Sequence, residues 1–578
     1  MHTVIMSDPT SLQPANFQRR FYYLLNFERA LQWLADRYDD LWAENERVFL
    51  REFAALPLAS RALLVRMLMR VGPHFRASKL LYDEIGCPLE AIAPLSALGW
   101  VDANPPLTLD QVFGLHTKPE LTKIFSLNPA AASARKSELQ QSLSFLHPGE
   151  RVYREWHPGA CDVVMRLNVT ALCERLRLMF FGNLRQSWAE FVLADLGIVR
   201  YERVLLERSS RAFQTRADID VFLAVHAYRD MLDTIDDVPS IEAMIPEIEA
   251  LACDHGWLDQ RRQKLLYRVG QYCERLRHWD TALAAYRSCA FPGARHRRMR
   301  ALEQAGFYTD AYVLALQACS EPESEEEAQR VERMLPRLRR KLGLPIEPVG
   351  RARPVERIDV VLPMPARPAS VEMIVRDALS EPGAGVHYVE NTLINSLFGL
   401  LCWDAIFMPL PGAFFHPFQR GPADLHSPGF HAARRDAFDQ CLALLDTAQH
   451  EHVIRSAFEL KAGVQSPFVH WGMLTAELLE QALLCLPAAH MKLWFRRLLQ
   501  DIGANRTGFP DLIRFWPQQR RYEMIEVKGP GDRLQDNQTR WLAYCAAHDM
   551  PVRVVHVRWA ETQCDPASES GAISEQLC

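Results

Sequence analysis

The sequence predicts a multidomain, mainly α-helical protein that ends in an α/β domain. Three observations lead there. The chain has 578 residues, enough for three or four domains. In successive stretches between Phe17 and Leu342, apolar residues recur at three- and four-residue steps, the period of amphipathic helices. Near the C-terminus the period changes to two, over Gly508–Phe515 and again over Tyr522–Gly529, as in half-buried strands.

Composition narrows the possibilities. Hydrophobic residues make up 48% and charged residues 24%, an ordinary globular balance with material for several buried cores. No run of eighteen apolar residues occurs, and Met1–Pro9 lacks the charged-then-apolar order of a secretion signal. A soluble, intracellular protein is expected, cytoplasmic in a bacterium or nuclear in a eukaryote, with no membrane partner. The thirteen cysteines are scattered without a C-x-x-C pair, which argues against a disulfide framework or a zinc site of the usual spacing. A net charge of −5 exerts no global pull on nucleic acid, so any such contact has to come from local basic patches.

In chain order, Leu24, Leu31, Leu34, Leu41 and Phe49 mark helices between Phe17 and Leu56. A basic helix over 64–71, a Gly72-Pro73 break and a second basic helix over 76–85 make a helix-turn-helix-like unit, with Lys79 on the second helix. A plain helical hairpin with solvated arginines is the alternative. Short helices follow at Leu109–Leu115, Pro119–Ser126 and Lys136–Leu146, and Lys123 lies on the middle one. They are read either as a DNA-gripping hairpin or as a bland helical linker.

From Val163 to Leu342 helix follows helix, and His278–Tyr286 is echoed by Phe307–Tyr312, a faint repeat of helical pairs. Between Trp257 and Ala301 eleven Lys/Arg face three acids, a surplus that favours phosphate contact over a neutral scaffold face. A proline-rich linker with one short strand, Arg357–Leu362, precedes the last domain.

That domain carries the chemistry. The run Pro517–Arg521 reads as a turn joining the two period-two segments, so Asp511 comes beside Glu526, and Lys528 shares the strand face of Glu526. Two carboxylates supply hard oxygen ligands for Mg²⁺ or Mn²⁺, which polarises a phosphoryl group and acidifies water, while an ammonium orients the nucleophile. Pro-Asp followed by Glu-x-Lys also arises by chance as an ordinary hairpin with a surface ion pair. Glu390, ahead of the apolar stripe Leu393, Leu397, Leu400 and Leu401, is read as the start of a helix, either as a solvated acid or as a third ligand. A second basic patch, ten Lys/Arg between Ala489 and Trp541 including Arg506, surrounds the hairpin.

The P-D then E-x-K pattern is the signature of the PD-(D/E)xK nuclease superfamily. With Glu526–Leu534 leading into Gln538–Leu542, the segment resembles the VRR-type nuclease domain. More narrowly, the chain resembles the Fanconi-anaemia-associated structure-specific nucleases in their short bacterial form. The resemblance is strong over 385–407 and 505–560, moderate over 60–146 and weak over the repeats. It implies a helix-turn-helix-like domain at 1–106, a SAP-like hairpin at 107–160 and tetratricopeptide-like repeats at 161–343. A linker at 344–384, a restriction-endonuclease-like nuclease domain at 385–565 and a disordered tail at 566–578 complete the expected layout.

It further implies metal ligands Glu390, Asp511, Glu526 and the Val527 carbonyl, for one or two Mg²⁺ or Mn²⁺ ions, with Lys528 positioning water and Gln538 bracing that side of the site. A pocket for a flap's 5′ phosphate would use His296 and an arginine at Arg261 or Arg262, beside Arg297, while Asn537 stands where the family has a lysine. No cysteine/histidine cluster precedes Phe17, so a ubiquitin-binding finger is not expected. The expected activity is that of a metal-dependent phosphodiesterase acting on branched or flapped DNA. The resemblance implies a 5′-flap endonuclease and 5′→3′ exonuclease in interstrand cross-link repair. An inert junction-binding adaptor and a four-way-junction resolvase are the rival readings, and no protein partner is legible.

Overall fold

A computed structural model describes residues 20–127, 134–186, 188, 199–235, 237–253, 255–346, 355–365 and 367–560. The chain divides into two compact units. One runs to Ile219 and includes Leu410–Gln419; the other holds Asp220–Pro409 and the chain from Arg420 onward. The expected tail at 566–578 lies outside the described residues.

In the first unit, helices Tyr22–Tyr38, Glu44–Ala55 and Leu58–Leu68 bury the predicted stripe of Leu24, Leu31, Leu34 and Phe49. The second basic helix expected over 76–85 is not formed. His74–Arg76 is a strand (β1), followed by a short 3₁₀ turn at Ala77–Lys79. The reason is long-range. β1 pairs antiparallel with β5 (Val164–Leu167), which also holds β2 (Val101–Asp102). Arg76, the supposed basic helix residue, is spent on Asp162 at 2.8 Å and Glu120 at 2.6 Å. Gly72, at φ +87°, turns the chain into β1. Lys79 remains exposed.

Helices Leu109–Leu115, Lys118–Ile124 and Lys136–Ser144 form close to where the sequence places them. Thr108 and Thr117 start the first two, each in a reciprocal capping arrangement with the Gln111 or Glu120 three residues on. Their core is Leu107, Val112, Phe113, Leu121, Leu139 and Trp156, closed by the pairing of β3 (Pro106–Leu107) with β4 (Arg151–Val152). Lys123 is exposed.

The second unit begins with helical hairpins. Helices Val238–Glu249, Gly256–Arg275, Trp279–Arg287, Ala294–Ala305, Tyr308–Ser320 and Glu325–Leu342 pack in succession around Ile241, Leu266, Ala282, Met299 and Ala315. Gly270 permits the tightest of these crossings: a Cβ there would lie 2.4 Å from the Tyr286 ring.

After the linker a five-stranded mixed sheet forms in the order β6-β10-β9-β8-β7: Glu356–Leu362, Val552–Trp559, Arg521–Lys528, Leu512–Trp516 and Val386–Tyr388. β8 and β9 are the predicted hairpin, joined by the 3₁₀ turn Pro517–Gln519. β9 then runs parallel to β10, and the helix Asp536–Ala547 makes the crossover such a pair requires. Glu325, Gln329 and Arg333 of the last repeat helix reach Arg497, Arg540 and Asp536, so repeats and sheet are tied directly. Among the described residues no helix is long and apolar enough to cross a membrane.

Candidate active site

The hairpin register sets the site. Leu512 faces Ile525, which brings Asp511, one residue before β8, against Glu526 on β9. Both lie where the sheet is covered on its two faces: Glu526 is 0% exposed, Asp511 5% and Lys528 8%. The Val527 N–H donates to Asp511 Oδ2 at 2.9 Å, fixing that carboxylate toward its neighbour. Lys528 Nζ stands 2.8 Å from Glu526 Oε1 as an ion pair. Neither Glu526 oxygen receives a well-directed hydrogen bond, although both are fully buried.

The electrostatics follow from this placement. Burial pushes the Glu526 carboxyl up to about 8, with the Asp511 charge adding to the rise and Lys528 opposing it. Burial likewise lifts Asp511 to about 6, against the Val527 N–H and with the charge of Glu390. Two buried carboxyls pushed up together, one with unsatisfied oxygens, form a site short of positive charge. Oxygen-only donors of this kind suit a hard divalent cation.

Glu390 is not on a helix. It sits in the turn between β7 and the helix Leu393–Leu401, half-buried, accepting from Tyr388 Oη at 2.5 Å and Asn391 Nδ2 at 3.2 Å. The apolar stripe behind it is buried as predicted. Two links carry the turn to the hairpin. The Val389 N–H donates to the Asp511 carbonyl, and Asn391 Oδ1 accepts from the Gly508 and Phe509 N–H groups at 2.8 and 3.2 Å. Among the described residues no three His, Cys, Asp or Glu side chains converge tightly enough to enclose an ion unaided. Glu390 is adjacent, with its carboxylate turned to Tyr388.

Sequence reasoning missed Asn391, Tyr388 and Glu372, whose charge also bears on Asp511. Asn391 holds φ +52°, a conformation that asparagine tolerates better than most residues, and an Asn between an acid and an apolar helix was the available signal. Gln538 uses its side-chain oxygen to accept from the Gln535 N–H at 2.9 Å, bracing the start of its own helix. Trp541 is core, stacked on Phe509 with centroids 3.9 Å apart.

The basic positions separate into two kinds. Arg506 turns inward onto the Pro467 carbonyl and the Phe468 ring, and Arg262 is held by Asp259 and the carbonyls of Glu249 and Leu251. Arg297 pairs with Glu274 at 3.1 Å, and Arg261 lies over the rings of Phe222 and Trp257. His296 instead lines a cavity of about 560 Å³ with Tyr267, Arg330, His426 and Asp501, where desolvation lowers its pKa to about 4. Asn537 bonds Thr507 at 3.3 Å and does not line that cavity.

Comparison with known proteins agrees with this layout. Three family models match: the FAN1 HTH domain over 21–102, the Fanconi anemia-associated nuclease SAP domain over 106–156, and the VRR-NUC domain over 446–559. A Fanconi-associated nuclease 1 homolog of Pseudomonas aeruginosa is 52% identical over 93% of this chain and 96% of its own. Fanconi-associated nuclease 1 of Homo sapiens is 25% identical over 93% of this chain and 62% of its own. A solved structure described as paFAN1 bound to 2nt 5′ flap DNA with gap superposes with a TM-score of 0.88. It is 50% identical and covers 95% of this chain and 100% of its own.

Proposed function

The chain belongs to the Fanconi-associated nuclease 1 family, a family of structure-specific DNA nucleases, and from that premise we propose how its residues divide the work. VRR-NUC nucleases are metal-dependent phosphodiesterases. The group suited to the metal is Asp511, Glu526 and the Val527 carbonyl, with Glu390 completing the set once its carboxylate leaves Tyr388. When bound, Mg²⁺ or Mn²⁺ supplies Lewis-acid polarisation of the phosphoryl oxygen and lowers the pKa of water. The observation that carries this reading is the buried pair itself. Glu526 and Asp511 lie against each other, and both buried Glu526 oxygens lack a well-directed hydrogen bond, an arrangement that lowers stability and that a divalent cation between the carboxylates would relieve.

The protein's own groups do the rest. Asp511 is held in place by the Val527 N–H, and the Asn391 bonds fix the Glu390 turn against the same loop, so the carboxylates are aimed before substrate arrives. Lys528, anchored on Glu526, presents its remaining N–H donors to the attacking water or to charge developing on the phosphoryl oxygens. His296 and Arg330 line a separate cavity suited to a terminal phosphate.

We assign the substrate as DNA carrying a 5′ flap, cut endonucleolytically near the flap and degraded 5′→3′, in the repair of interstrand cross-links. Two similar solved structures, described as holding 2nt and 1nt 5′ flap DNA with gap, support this. In a bacterium the work lies in the cytoplasm, at the chromosome. An inert adaptor would have no reason to retain a buried carboxylate pair, so the observation disfavours that rival. The test is cleavage of labelled 5′-flap, 3′-flap and four-way-junction DNA side by side, with Mg²⁺, with Mn²⁺ and with chelator. Metal-dependent cutting of the 5′ flap in preference to the others is expected; preferred cutting of the four-way junction would reassign the enzyme as a resolvase.

A further inference from the structure

The helical repeats contain a second cleft, of about 520 Å³, distinct from the His296 cavity and sharing none of its lining residues. Its walls come from the first helices of two successive hairpins. On Gly256–Arg275, residues Arg268, Tyr272 and Arg275 follow one another at four- and three-residue steps and so share a face. On Ala294–Ala305, Arg297 and Arg300 do the same. Trp279, opening the intervening helix, completes the lining. In stacked helical hairpins the first helices line the inner surface, the usual place for an extended ligand.

The chemistry is specific. Four guanidinium groups and two carboxylates line the cleft, a surplus of two positive charges. The two acids serve as braces. Glu274, whose side chain is 9% exposed, accepts from Tyr286 Oη at 2.6 Å and from Arg297 at 3.1 Å, so Arg297 is held in one orientation. Asp233 holds Arg268 at 2.9 Å. Tyr272 is locked by its hydroxyl on the Ile235 carbonyl, and Arg275 lies 5.1 Å over its ring. Arg300 is exposed and makes no hydrogen bond or ion pair with a described residue. Braced and open arginines beside a fixed tyrosine ring and a tryptophan are what a single-stranded nucleic acid needs: charge for phosphates and flat faces for bases. The volume is in the range of about 300–1,000 Å³ typical of ligand pockets.

We propose that this cleft binds a single-stranded DNA segment, the strand displaced from the duplex that the nuclease domain cuts. The proposal rests on the nuclease reading, because it takes its ligand from that substrate, but it concerns a site separate from the metal-binding carboxylates and from the terminal-phosphate cavity.

The experiment measures binding in chelator, where nothing is cut. A fluorescent oligothymidylate is titrated with the full-length protein, its Arg275→Ala/Arg300→Ala variant, and an Arg277→Ala/Arg287→Ala control. The control removes the same charge from exposed positions of the same repeats outside the cleft. The cleft variant should bind at least tenfold more weakly than wild type, and its dependence on log salt should flatten by about 1.4, the release expected from two phosphate contacts on a single strand. Trp279→Leu should weaken binding at least about fivefold and Trp279→Phe should restore it, since only the second keeps a stacking face. If Trp279→Leu lowers the thermal midpoint, the arginine variant, altered only at exposed side chains, decides alone. Equal losses in the cleft and control variants would overturn the proposal, as would unchanged binding in both. Arginine-dependent binding of a polyglutamate peptide as tight as that of oligothymidylate would also overturn it, making the cleft a site for acidic proteins. Flap cleavage by the wild-type protein, assayed separately with metal, reports on the nuclease reading alone.

Discussion

Glu526→Gln should abolish cleavage and, in the absence of metal, make the protein more stable. Glu526 is fully buried, and its carboxyl is pushed from an ordinary 4.5 to about 8. Below pH 4.5 the group is protonated both folded and unfolded, and the site costs nothing. As pH rises toward 8, the folded state retains a proton that the unfolded state has lost, so stability falls by about 1.4 kcal/mol per pH unit. At pH 7.5 the accumulated cost approaches about 4 kcal/mol, and relaxation of the site reduces it to roughly 2–4 kcal/mol. Glutamine does not titrate and keeps a carbonyl for Lys528. The variant's midpoint in chelator should therefore exceed the wild type's by several degrees at pH 7.5, at about 2–4 °C per kcal/mol for a domain of this size. The gap should close by pH 5. Adding Mn²⁺ should reverse the order, because only the wild type gains binding energy from a complete carboxylate pair. Differential scanning fluorimetry across pH 5–8, with chelator and with Mn²⁺, makes the comparison. A variant that melts at or below the wild type throughout, or by a margin independent of pH, would refute the reasoning.

Five other outcomes are expected. Asp511→Ala should eliminate cleavage in a gel assay while DNA affinity stays within a few-fold, since binding rests on basic surfaces, and Lys528→Ala should be nearly as damaging; near-normal turnover in either would remove that residue from the site. Glu390→Gln should lower the rate and raise the Mn²⁺ concentration needed for half-maximal activity, because an amide is the poorer ligand for a hard cation; an unchanged metal titration would leave Glu390 as a partner of Tyr388 only. His296→Ala with Arg330→Ala, both lining the cavity, should still nick DNA but lose preference for 5′-phosphorylated ends by on the order of 1–2 kcal/mol, one charge-assisted contact; equal wild-type activity on phosphorylated and unphosphorylated flaps would dispose of the phosphate pocket. Gly508→Ala should destabilise by about 2 kcal/mol or more and slow cutting, since Gly508 holds φ +95° and an added Cβ would lie 2.8 Å from the Asn537 backbone; a melting point equal to wild type would show that the loop gives way freely.

The centre of the site was legible in the sequence because its determinants are local. Alternation of period two, a short polar turn and the spacing of Glu526 and Lys528 are enough to put Asp511, Glu526 and Lys528 together, and the hairpin register does so. The helices of the repeats and the capped hairpin at Thr108 and Thr117 were legible for the same reason, since helix period and caps are read within a few residues. What the tertiary structure decided is everything that depends on a partner from far along the chain. His74–Arg76 is a strand because Val164–Leu167 pairs with it, and Glu390 lies in a turn because Asn391 is bound to the Gly508 loop. The fate of the basic residues was undecidable from composition. Arg76, Arg262, Arg297 and Arg506 are taken up by carboxylates and carbonyls of the protein itself, whereas Arg300 faces solvent in the repeat cleft. A long cationic side chain reaches several ångströms in any direction, so its role is set by whichever acid or carbonyl folding brings within that reach.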